Sequence, residues 1–75
     1  MDLLLYYFMG IKIGDKFKAG ETVVYTITDI IESGGRTLID WDCIGRKYWY
    51  KKVSLANIEE WVKDGRLKRI DNGKD

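Results

Sequence analysis

The chain has 75 residues, 45% of them hydrophobic and 13% aromatic, with a net charge of +1, one cysteine and no histidine. That length holds a single domain, residues 1–75, in which folding buries only about 60% of the surface an unfolded chain exposes; three Trp, five Tyr and two Phe supply its small core, since each aromatic can bury roughly 150–250 Å². One cysteine excludes an internal disulfide framework and suits a reducing compartment, and the lack of histidine excludes a His-based metal site and a His general base.

Residues 3–9 form an unbroken apolar run. It is too short to span a bilayer, which takes about 20 residues, and Asp2 with no small-residue cleavage site does not suit a secretory leader. No membrane role is expected. Two readings of 1–9 stand: an apolar N-terminal extension or strand that joins the sheet or forms a homodimer through residues 3–8, as an exposed edge strand invites, or a mis-assigned start with Met9 as the first residue. Either way, residues 1–8 are expected to be dispensable for the fold of residues 11–70.

Gly14-Asp15 signals a turn, Lys16 to Ala19 a short strand, and Gly20-Glu21 its end. Thr22 to Ile31 is dense in β-branched residues, with Val23, Tyr25, Ile27 and Ile31 on one face and Val24, Thr26, Thr28 and Ile30 on the other; two partly apolar faces mark a central strand. Glu32 to Arg36 is a turn whose glycines supply positive φ. Thr37 to Ile44 follows as a strand, and Gly45-Arg46 suits a two-residue turn that sets Cys43 opposite Tyr48, Asp42 opposite Trp49, Trp41 opposite Tyr50, Asp40 opposite Lys51 and Ile39 opposite Lys52. A four-residue loop gives the same pairs; a three-residue loop shifts them. In this register Ile39, Trp41, Cys43, Tyr48 and Tyr50 share the core face, leaving Trp49 outside among Asp40, Asp42, Lys47 and Lys51. Cys43 reads as a small buried hydrophobe rather than a reactive thiol.

Ser54 suits an N-cap, Leu55, Ile58 and Val62 recur at i, i+3 and i+7, and Gly65 suits a C-terminal cap, so a helix is expected from Leu55 to about Lys63 with Trp61 on the margin of its apolar stripe. Leu67 to Ile70 closes as a short strand, and 71–75 is a frayed tail. The fold class is therefore α+β: a small, curved antiparallel sheet of about five strands with one helix in the C-terminal half.

Charge is uneven. Residues 1–44 carry four cations against seven anions, and residues 45–70 carry eight against three. The cluster Arg46, Lys47, Tyr48, Trp49, Tyr50, Lys51, Lys52 interleaves cations with aromatics, the mixture that stacks bases and holds phosphates, although core tyrosines beside solvated lysines produce the same text. Asp40 and Asp42 at i, i+2 form a candidate carboxylate pair, but a cross-strand partner for Asp40 in Lys51 explains it as ordinary sheet chemistry. Gly34-Gly35 lacks the helix and Lys-Ser/Thr of a phosphate-binding loop. No catalytic residue, metal ligand or cofactor site is expected. The candidate binding residues are Trp49, Lys47, Lys51, Asp42 and Arg46.

The Gly14-Asp15-Lys16-Phe17 opening, the Tyr25 and Trp41 strands, Tyr48 to Val53 leading into Ser54, and the Gly65-Arg66-Leu67-Lys68 ending together resemble a group of small phage- and prophage-type proteins that look like SH3-like β-barrels with a C-terminal helix. The resemblance covers roughly residues 11 to 70 and rests on pattern, with no catalytic signature; the apolar run 1–9 departs from it. It implies a small accessory protein of a phage or mobile element. With no nucleophile–base set in view, the expected function is a non-enzymatic binding module in the cytoplasm of a bacterial host cell, engaging or inhibiting a host protein. The alternative is a nucleic-acid-binding module using the ribbon 46–52.

Overall fold

The computed structural model describes residues 11–70; the expectations for an N-terminal strand or dimer segment at 1–9 and for a frayed tail at 71–75 lie outside the described residues. Five strands and one helix run in the order β1 (Lys16–Ala19), β2 (Val23–Ser33), β3 (Arg36–Ile44), β4 (Lys52–Ser54), α1 (Leu55–Lys63) and β5 (Lys68–Ile70). The strands form one antiparallel sheet in the order β4-β3-β2-β1-β5. Among the described residues the sheet is open: β4 and β5 are its two edges, where a closed barrel would pair them. The long β-branched strand β2 lies at the centre, as its two-sided apolar pattern implies.

Phe17, Val23, Tyr25, Ile27, Ile39, Trp41 and Val53 of the sheet, with Ile58 of α1 and Leu67 before β5, make the buried core. β2 and β3 turn through Gly34-Gly35, both at positive φ, with Ser33 opposite Arg36; that is the conformation of the favoured two-residue hairpin turn. A bulge interrupts β2, since Ile27 faces Trp41 and Asp29 faces Asp40, leaving Thr28 without a cross-strand position. Its hydroxyl donates to the Asp40 carbonyl at 3.1 Å. The extra residue exchanges the faces beyond it, so Ile30, opposite Ile39, packs against the core in place of the expected Ile31.

The β3–β4 register also differs from expectation, by one residue. Ile39 faces Val53 and Asp40 faces Lys52, and residues 45–51 are a loop rather than the start of a strand. The reason is chemical. Directly opposite residues share a face, so a register that turns Tyr48 and Tyr50 inward also turns Lys52 inward against Ile39, whereas the observed one buries Val53 there. Tyr48 and Tyr50, expected in the core, are 78% and 81% exposed.

Ser54 caps α1, its Oγ accepting from the Asn57 amide at 3.2 Å. At the far end the Arg66 amide donates to the Trp61 carbonyl at 2.9 Å and the Gly65 amide to the Val62 carbonyl at 3.3 Å, a Schellman closure that turns the chain back toward β5. Ile58 is fully buried, and Leu55, Trp61 and Val62 pack against the core. β5 pairs with β1, placing Arg69 opposite Phe17, and the Arg69 guanidinium meets Asp15 Oδ2 at 2.7 Å with both side chains largely shielded.

Gly45, at φ +99, passes so close to the start of β2 that a Cβ there would stand 2.1 Å from the Thr22 carbonyl oxygen. Gly34 is also at positive φ but faces open space. Gly45→Ala should therefore cost on the order of 3 kcal/mol through strain and steric overlap, against about 1 kcal/mol for Gly34→Ala. Urea unfolding of the two variants checks this; equal losses would mean that the close approach at Gly45 is not maintained.

Candidate functional site

The loop 45–51 leaves β3 after Ile44 and re-enters the sheet at β4, and Trp41 holds it in place. The Trp41 amide donates to the Lys51 carbonyl at 3.1 Å, its indole Nε1 donates to the Tyr50 carbonyl at 2.9 Å, and its own carbonyl accepts from the Trp49 indole at 3.2 Å. Trp41 is 2% exposed and stacks on Tyr25, with ring centroids 4.3 Å apart at 23°. Side chains alternate along the loop: Trp49 turns in and packs on the core cluster, while Tyr48 and Tyr50 project outward.

These contacts shape a cleft of about 810 Å³ between the loop, the sheet and the C-terminal end of α1. Six aromatic residues line it: Tyr25 and Trp41 from the sheet, Tyr48, Trp49 and Tyr50 from the loop, and Trp61 from the helix. Among the described residues its charged lining side chains are Arg46 and Arg66, and no carboxylate lines it. Arg66 Nε lies 3.3 Å from Asp64 Oδ2 in a solvent-exposed pair, which screening makes weak.

Tyr25 gives the floor of the cleft a titratable group. Burial raises its phenol above the ordinary value of 10.0; the Arg46 guanidinium beside it pulls the other way, and Cys43 adds to the rise. The folded state thus favours the neutral phenol.

Of the five expected binding residues, Trp49 and Arg46 line the cleft, and Lys47, Lys51 and Asp42 do not. Trp49 is not on a charged outer face, because the loop turns its indole inward onto the Trp41 carbonyl and the core while Tyr48 and Tyr50 face water. Lys51 Nζ sits 3.4 Å from Asp42 Oδ1, both side chains well exposed, and Lys47 Nζ lies 5.8 Å from the Tyr48 ring centroid. Asp40 and Asp42 do not act as a pair: Asp42 engages Lys51, whereas Asp40 stands opposite Asp29 and Lys52, with its Oδ1 buried and without a hydrogen-bond partner among the described residues. Trp61 and Arg66 were missed as site residues. Their signal was a large aromatic on the margin of a helix stripe and an arginine directly after a capping glycine, which together flank the chain reversal.

Among the described residues no helix is long and apolar enough to cross a membrane. Comparison with protein-family models, curated proteins and solved structures finds no match.

Two measurements check this geometry. Trp49→Ala should cost about 2 kcal/mol, through lost packing and the lost bond to Trp41, whereas Tyr48→Ala and Tyr50→Ala should stay within about 0.5 kcal/mol of the parent; denaturant unfolding reads all three. The raised Tyr25 pKa contributes stability that is complete below pH 10.0 and is lost as pH rises through the higher native value. Unfolding free energies between about pH 9 and about pH 11 should fall less steeply for Tyr25→Phe than for the parent.

Proposed function

We propose that the chain is a non-enzymatic protein-binding module, of the kind by which a phage or mobile element engages or inhibits a host protein in the bacterial cytoplasm, and that the aromatic cleft receives the partner. The observation that carries this reading is the cleft's lining of tryptophan, tyrosine and arginine, the residue types that dominate the energy of protein interfaces. Tyr48 and Tyr50 stand at its edge with most of their surface in water, and their truncation touches nothing that holds the fold. An SH3-like reading of the architecture is supported by the connectivity, in which β2, β3 and β4 form a meander, a helix follows, and β5 returns beside β1.

A second reading, single-stranded nucleic acid on the ribbon 46–52, is favoured by one specific observation. Tyr48 and Tyr50 both face solvent beside Arg46, Lys47 and Lys52, an arrangement on which bases stack. Against it stands a net charge of only +1, far from the basic footprint of a dedicated nucleic-acid binder.

Affinity capture from a bacterial lysate, with and without nuclease, separates the two. We expect a protein to be retained after nuclease treatment with little dependence on salt. Tyr48→Ala combined with Tyr50→Ala should abolish capture while melting as the parent does. Capture that vanishes with nuclease and weakens steeply with salt supports the nucleic-acid reading, and capture indifferent to both substitutions removes the cleft from the function.

A further inference from the structure

The charge of the cleft narrows what can enter it. Its walls are aromatic, and among the described residues its charged lining is two arginines that arrive from different elements, with no carboxylate. Arg46 follows β3 and lies against the Tyr25 phenol on the floor; Arg66 follows α1, where the Schellman turn holds its backbone to Trp61. A cationic ligand would meet two guanidiniums, and Asp64, beside Arg66, is already paired with that arginine. A purely apolar ligand would strip water from the exposed guanidiniums and offer no hydrogen-bond acceptor in its place, which is costly. The ligand that leaves nothing unpaired combines a flat apolar group with a carboxylate: rings stack in offset or edge-on arrangements against tyrosine and tryptophan, and a guanidinium grips a carboxylate through two parallel hydrogen bonds.

We propose that the cleft recognises a short acidic–aromatic peptide segment, an Asp or Glu close to a Trp, Tyr or Phe, with the carboxylate held by Arg66 or Arg46 and the ring lodged among the aromatics. This rests on the reading of the chain as a protein-binding module and adds the chemistry of its ligand. A strand of nucleic acid offers rings and negative charge too, but it carries a phosphate at every step. Two arginines, one already engaged with Asp64 and the other set against the floor, answer an isolated carboxylate better than a polyanion. The surrounding lysines do not change this balance inside the cleft, since Lys51 is paired with Asp42 and Lys47 lies over the Tyr48 ring.

The test is a display selection of random peptides, about twelve residues long, on the full chain and on its Arg66→Glu variant, with circular dichroism confirming that both are folded. Selected peptides are then titrated by fluorescence anisotropy beside an oligothymidylate of similar length. The parent should enrich peptides pairing an acidic with an aromatic residue, and Arg66→Glu should lose that acidic preference. Replacing the peptide's Asp or Glu by the amide should weaken binding to the parent about tenfold. It should weaken binding much less to whichever of Arg66→Gln and Arg46→Gln has lost the partner of that carboxylate, the non-additivity that marks a direct pair. Enriched peptides without an acidic preference, or strictly additive losses with both arginine variants, overturn the acidic ligand and leave a protein-binding module standing. No enriched peptide, with or without salt-sensitive binding of the oligothymidylate, overturns both.

Discussion

Trp41 is where the sheet, the loop and the cleft become one structure. Its amide, its carbonyl and its indole nitrogen each make a hydrogen bond to the segment 49–51, and its ring lies flat on Tyr25 of the neighbouring strand. A buried Trp of this kind carries about 3–5 kcal/mol of stability, a large part of what a domain this small has in reserve. Those bonds also satisfy loop backbone groups that could not otherwise lie against an apolar wall. The loop is therefore held from beneath, and its two tyrosines, Tyr48 and Tyr50, are free to face outward.

Gly45 makes that arrangement possible at the other end of the loop. The chain crosses the start of β2 at a distance that admits no Cβ, so the loop departs close against the sheet and returns at β4 with Lys51 bonded to Trp41. Between these two fixed ends, Trp49 turns in and Tyr48 and Tyr50 turn out. The result is an aromatic surface that is partly foundation and partly rim. Trp49 belongs mainly to the foundation, and the two tyrosines belong to the rim.

Electrostatics divide the molecule along the same lines. The shielded Asp15–Arg69 pair ties β5 to the turn before β1 and leaves little charge for a ligand. At the other end of β1, near Ala19 and Gly20, the cleft brings two arginines together with no carboxylate among its lining residues. Arg46 and Arg66 lie twenty residues apart in sequence and line one cleft only because α1 and its capped end fold back over the sheet.

What the sequence by itself determined is what short-range physics decides. The strand β1, the two-glycine turn, the β-branched central strand, the Ser54 cap, the helix Leu55–Lys63 and its closure at Gly65 all follow from propensity, periodicity and capping within a few residues. Trp41 as a core residue followed from its place in an alternating strand. The tertiary structure decided the rest. Thr28 bulges because β2 must match Trp41 on one side and Ile39 on the other, which no local pattern in β2 encodes. The choice between Lys52 and Val53 opposite Ile39 was written in the residues, but only the cost of turning a lysine toward the core makes it decisive. That one-residue shift, together with bonds from Trp41 across eight to ten positions, moved Tyr48 and Tyr50 from interior to rim. The cleft itself joins residues from the sheet, the loop and the end of the helix, and so exists only once their packing is complete.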